Sequence, residues 1–238
     1  MNEQNEFETL FETRLELDEE ELERGVRDGD DIAPIAALEE NLLWRENRLT
    51  LSRGACQQIP PPAGGGAGMA YYHAPLLCNV IAHPECRLEW ARLVVDLSPT
   101  HGVIIRDLFP KEVPGDKPVE MATKIGIGLK FEVLKATELE VTPEIERSRT
   151  VYFPKLVGAG TGTPKATWNF LALGGQYLHV DRELRLLISA PAGRDVVSRL
   201  NLRARIRING IQGFVPLLAR RTPEIDEVFT LIDVAPPG

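Results

Sequence analysis

Cys78, His83 and Cys86 form a C-x4-H-x2-C stretch, with His73 upstream. Thiolate and imidazole suit zinc, but a tetrahedral site needs four ligands and only three lie together. Small cysteines packed on a strand pair account for the same residues. Gly158-Ala-Gly-Thr-Gly-Thr-Pro-Lys165 has the glycines of a phosphate loop. Pro164 separates them from Lys165, and Ala166-Thr167-Trp168 reads as a strand, so the stretch is expected to be an inter-strand loop. No G-x-S-x-G elbow is present, and His73, His83, His101 and His179 lack a partner pattern. Glu138, Glu140, Glu144 and Glu146 read as the solvated face of a strand rather than as catalytic carboxylates. No catalytic residue, metal site or cofactor is expected.

One row of charges is more informative. Arg199, Arg203, Arg205 and Arg207 share one face of a strand, opposite Leu200, Leu202, Ala204, Ile206 and Ile208. Like charges about 6.6 Å apart repel unless something answers them. Cross-strand carboxylates on a solvated sheet face are one answer. The acidic stretch Asp18, Glu19, Glu20 and Glu21 is another, docking on the row within one chain or in a neighbouring protomer. Arg182, Arg185, Arg220 and Arg221 are candidate extensions of the patch.

Several elements must position these residues. Phe7, Leu10, Phe11 and Leu15 follow helical spacing in an acidic arm. Residues 35–51 form the strongest helix candidate, with Asp31 as cap and Pro34 in the first turn; an alternative has Arg48-Leu49-Thr50-Leu51 already extended. Ile59 to Gly68 contains three prolines and then four glycines, the clearest boundary in the chain. Beyond it the period becomes two. Ile125, Ile127, Leu129, Phe131 and Val133 alternate with Gly126, Gly128, Lys130 and Glu132. Further strands are expected at 87–97, 102–107, 138–142, 149–157, 167–173, 213–219 and 227–234. Trp90 and Trp168 are expected in the core.

These elements predict a mainly β chain: an antiparallel β-sandwich with a short acidic, partly helical N-terminal region. The division expected is an arm over 1–58, a linker over 59–68 and a sandwich domain over 69–238. The 238 residues carry a net charge of −8, and the first 31 hold 13 Asp/Glu against 3 Arg, leaving the remainder at +2. An acidic chain is a poor nucleic-acid binder. Three cysteines and no apolar leader suggest a reducing, cytoplasmic setting.

The expected function is therefore a non-catalytic, bacterial-type cytoplasmic interaction or assembly module. Its partner is another protein or a second copy, with no nucleic acid and no membrane. One alternative is a small-molecule sensor or enzyme with a site between the sheets or at loop ends. A second is a membrane-active protein whose segment 124–157 refolds into amphipathic hairpins.

Overall fold

The computed structural model describes residues 7–40, 42–115, 119–126, 129–134, 146–151, 154–172, 178, 180–219 and 228–233. The chain opens with strands β1 (Glu8–Arg14) and β2 (Glu16–Leu17), then helix α1 (Glu19–Asp28) and helix α2 (Ile35–Glu40). A 3-10 turn at Leu42–Glu46 leads to β3 (Arg48–Arg53), β4 (Gln57–Ile59), β5 (Met69–Ile81) and β6 (Cys86–Asp96). Next come β7 (Ile104–Phe109), β8 (Glu112–Pro114), β9 (Val119–Gly126), β10 (Leu129–Leu134) and β11 (Glu146–Val151). The last strands are β12 (Pro154–Ala159), β13 (Lys165–Leu171), β14 (Val180–Pro191), β15 (Val196–Ile208), β16 (Val215–Ala219) and β17 (Val228–Ile232).

Two antiparallel sheets pack together as a β-sandwich. The first runs β1-β3-β5-β14-β7, with β4 also on β5. The second runs β2-β16-β15-β6-β13-β12-β8, with β17 also on β15. Alternation explains the packing. Leu184, Leu186 and Ile188 of β14, and Leu202, Ala204 and Ile206 of β15, are all buried. Burying a leucine or isoleucine side chain contributes roughly 1.5–3 kcal/mol. Trp168 is completely buried, and its indole N–H donates to the Pro110 carbonyl at 3.2 Å. Cys78 is buried among them, and desolvation pushes its thiol up to about 12.

The N-terminal region departs from expectation in detail. Residues 8–14 are a strand paired with β3, not a helical face, because tertiary pairing overrides local spacing. The helix expected over 35–51 stops at Glu40, and the extended alternative holds from Arg48. Leu49 and Leu51 are fully buried there, between partners on both sides. The acidic stretch itself forms α1. Asp18 caps it by accepting the Glu21 N–H at 3.2 Å, Glu19 to Glu21 occupy the first turn, and Gly29 closes it with φ of +76°.

Residues 60–68 are exposed and connect β4 to β5, which pair with each other. β1, β3 and β4 thus share a sheet with strands on the far side of this stretch. A proteolytic nick within 60–68 is expected to leave two pieces that co-elute on size exclusion until denaturant is added. Separation in native buffer would show that the pairing across the stretch does not hold them.

Trp90 corrects the core assignment: it is half-buried on the outer face of the second sheet. Trp168→Ala is expected to cost about 3–5 kcal/mol in urea unfolding, and Trp90→Ala about 1 kcal/mol. Equal losses would return Trp90 to the core.

Candidate functional site

The arginine row lies on β15, with the acidic segment strapped across it. The strap begins as β2, whose Leu17 pairs with Leu217 of β16. It ends where Ala33 donates to the Phe214 carbonyl and Phe214 donates to that of Asp31. A parallel bridge joins Ile32 to Phe214. Gly213, at φ of +86°, lets the Ile32 backbone come close, where any Cβ would collide.

Three carboxylates of this strap meet three arginines in order. Asp18 pairs with Arg203 at 3.4 Å, Glu21 with Arg205 at 2.6 Å and Asp31 with Arg207 at 3.0 Å. Arg207 also holds Glu89 of β6 at 2.6 Å. Glu19 and Glu20 are exposed and lie along a neighbouring groove that includes Arg203, while Arg199 sits at the exposed start of the row. Burial pushes the Glu21 carboxyl up, but hydrogen bonds and charge from Arg24 and Arg205 outweigh it, holding the group below its ordinary range.

Below the strap, the outer face sinks into a cleft of about 630 Å³. A β-bulge builds it. Arg205 is paired with Trp90, but the next residue, Ile206, is paired with Leu88, so Glu89 is the extra residue on β6. Glu89 and Trp90 are both turned from the core, although strict alternation from Cys86 and Leu88 would bury Trp90. Arg205 is then sandwiched, its guanidinium 5.6 Å from the Trp90 ring centre and 4.5 Å from that of Phe214. Its Nε is buried with no acceptor among the described residues. Arg92 lies over the other part of the cleft, 5.2 Å from the Trp90 ring centre. Sequence reasoning missed Trp90, Phe214, Glu89 and Asp31 here, because the bulge and the strap crossing are tertiary.

Cys78 and Cys86 are buried, and the described residues bring no three metal-ligating side chains together. Gly158 to Lys165 joins β12 to β13, with Gly160 and Gly162 at positive φ. Residues 135–145, and with them the strand expected at 138–142 and Glu138, Glu140 and Glu144, lie outside the described residues; Glu146 begins β11.

β9, β10 and β11 form a sheet of their own, in the order β10-β9-β11. It is inserted at one place: Pro114, ending β8, is paired with Pro154, opening β12. Within it Met121 is paired with Leu134, Thr123 with Glu132, Ile125 with Lys130 and Lys124 with Phe131. Directly paired positions share a face of a sheet. Odd positions of β9 are therefore paired with even positions of β10, which sets Ile125 level with Lys130 and Lys124 level with Phe131.

No family model matches the chain, and no curated protein matches it. Among solved structures the chain is similar to Clostridium perfringens delta-toxin, at 11% identity and a TM-score of 0.36, over 73% of this chain and 81% of that one. It is also similar to the Clostridium perfringens NetB toxin in the membrane inserted form, at 10% identity and a TM-score of 0.32, over 73% of this chain and 86% of that one. Likeness of this degree assigns the chain neither a family nor an activity. It does run against the expected cytoplasmic interaction or assembly module, the cytoplasmic setting and the exclusion of a membrane, since both neighbours are toxins and one is membrane inserted. Those expectations are corrected accordingly. Acidity and few cysteines say nothing about strands entering a bilayer. No described helix is long and apolar enough to cross one, which leaves strands untouched by that test.

Reversing charge with Arg203→Glu and Arg205→Glu is expected to free the strap, seen as faster amide exchange over residues 16–33 with β5 and β14 unchanged. Acid is expected to act the same way. Glu21 has a lower pKa folded than unfolded, so its contribution is complete above the unfolded value and is lost as pH falls through the folded one. Unchanged exchange in both cases would show that the ion pairs do not hold the strap.

Proposed function

We propose that the chain acts on membranes through residues 115–153, which exchange the small three-stranded sheet for an extended amphipathic hairpin. One observation carries this reading. From Val119 to Val133, odd positions are apolar except Thr123: Val119, Met121, Ile125, Ile127, Leu129, Phe131 and Val133. The even positions are Glu120, Ala122, Lys124, Gly126, Gly128, Lys130 and Glu132. This alternation runs without a phase break through both β9 and β10, yet their pairing opposes it. A sequence with one continuous phase suits one continuous strand. About 9–11 residues of strand cross a bilayer, so this stretch is long enough.

The insertion point supports the same reading. Because Pro114 and Pro154 are paired, both ends of the segment leave neighbouring strands, about 5 Å apart. The segment can change its pairing while the sandwich stays intact. A lone hairpin in lipid leaves backbone groups unpaired at its edges, so several chains must pool their strands into a closed barrel.

Dye release from vesicles of phosphatidylcholine and phosphatidylglycerol tests this. Ala122→Cys with Val133→Cys joins two paired positions and locks β9 to β10. The oxidised double variant is expected to release no dye, and reductant is expected to restore release. Phe131→Asp is expected to abolish release with the melting temperature unchanged, because a charge on the lipid-facing side costs about 2–4 kcal/mol near the midplane. Release by the locked protein, or none by the wild type on any vesicle, would overturn the reading.

A further inference from the structure

The cleft on the outer sheet face holds more positive than negative charge. Arg87, Arg92, Arg205 and Arg207 line it, against Glu89. The carboxylates around it are already engaged: Glu89 and Asp31 with Arg207, and Glu21 with Arg205. Arg92 is different. Its Nε donates to the Asn169 side-chain carbonyl at 2.6 Å, and its guanidinium stacks on Trp90. Both partners are neutral, and no described carboxylate pairs with it. They fix the direction of the guanidinium and leave its charge uncompensated at the wall of a concave site.

We propose that this cleft binds a phosphate oxyanion, with Arg92 as its principal ligand and Arg205 and Arg207 on its flank. Phosphate fits better than carboxylate on geometric grounds. A planar carboxylate is satisfied by a single guanidinium fork, whereas a tetrahedral oxyanion accepts from several donors, and the guanidiniums lining the cleft come from two strands, β6 and β15. Leu88, Trp90, Ala172 and Phe214 make up the uncharged part of the lining, and 630 Å³ leaves room for the phosphate's substituent. The phosphate belongs either to a lipid headgroup or to a free soluble ion. Place favours the headgroup. Ala172 borders the cleft, and the pairing of Leu156 with Phe170 sets the start of β12 level with it. A headgroup held here would sit beside the exit of residues 115–153. The site is read from its own residues and does not rest on membrane activity.

Titration of the full chain with inorganic phosphate at constant ionic strength, followed by tryptophan fluorescence, tests the site. A saturable change is expected. Arg92→Gln is expected to weaken it about tenfold or more, the loss of one charge-assisted contact, without moving the melting temperature. Trp90→Phe is expected to remove the signal. A second arm sediments the protein with phosphatidylcholine vesicles containing phosphatidic acid. Competition by inorganic phosphate, together with loss in Arg92→Gln, assigns the cleft to a headgroup. Vesicle binding indifferent to both assigns it to free phosphate. An unsaturating response to inorganic phosphate, equal in wild type and Arg92→Gln, overturns the site; it leaves dye release untouched, so the two readings fail separately.

Discussion

Like charges held two residues apart on one strand face repel, and β15 carries three such arginines above an aliphatic row. The strand stays in place because both faces are answered. Its inward residues lie against the first sheet, and its outward arginines meet Asp18, Glu21 and Asp31. Exposed pairs contribute about 0–1 kcal/mol each, so the charges alone do not hold the strap down. Backbone pairing adds to them at its two ends, through β2 on β16 and through Ile32 against Phe214, and the ion pairs hold the span between. The ion pairs choose which carboxylate faces which guanidinium. Asp18 shows the division of labour: it is almost fully buried, caps α1 and faces Arg203, so its charge is compensated where water is excluded.

A single extra residue on β6 makes the cleft. Inserting Glu89 shifts the phase of the strand between Leu88 and Ala91, so a tryptophan spaced for the core emerges on the outside. There it serves as a platform for two guanidiniums. A strand without the bulge would bury Trp90 and present a flat, solvated face. The cation-lined concavity is therefore a product of backbone irregularity, not of composition.

Much of the architecture was legible in the sequence because period two is a strong signal where one face is buried. β6, β13, β15 and β16 lie close to the strands read from alternation alone. The grouping of arginines on one face followed from the same period. What was illegible needed a third dimension. The strand character of residues 8–14 depends on β3 being beside them, and the short α2 yields to a strand whose leucines lie in the core. Trp90 was misplaced because a bulge leaves no mark in a periodicity count. For residues 119–133 the conflict between alternation and pairing is visible only when both are known.

The acidic segment also lies asymmetrically. β1 is the last strand of the first sheet and β2 the last of the second, while β7 and β8 end the same sheets on the far side. The acidic residues from Glu8 to Asp31 therefore sit toward one end of the strand order, and the rest of the sandwich extends away from them. Such a molecule has a permanent electric dipole. A negatively charged plane exerts a torque on it that turns the β1–β2 flank outward and brings the β8–β12 edge forward before any contact forms. Orientation on approach is thus a property of where the acidic residues from Glu8 to Asp31 fall in the chain, and it weakens with ionic strength over about a Debye length.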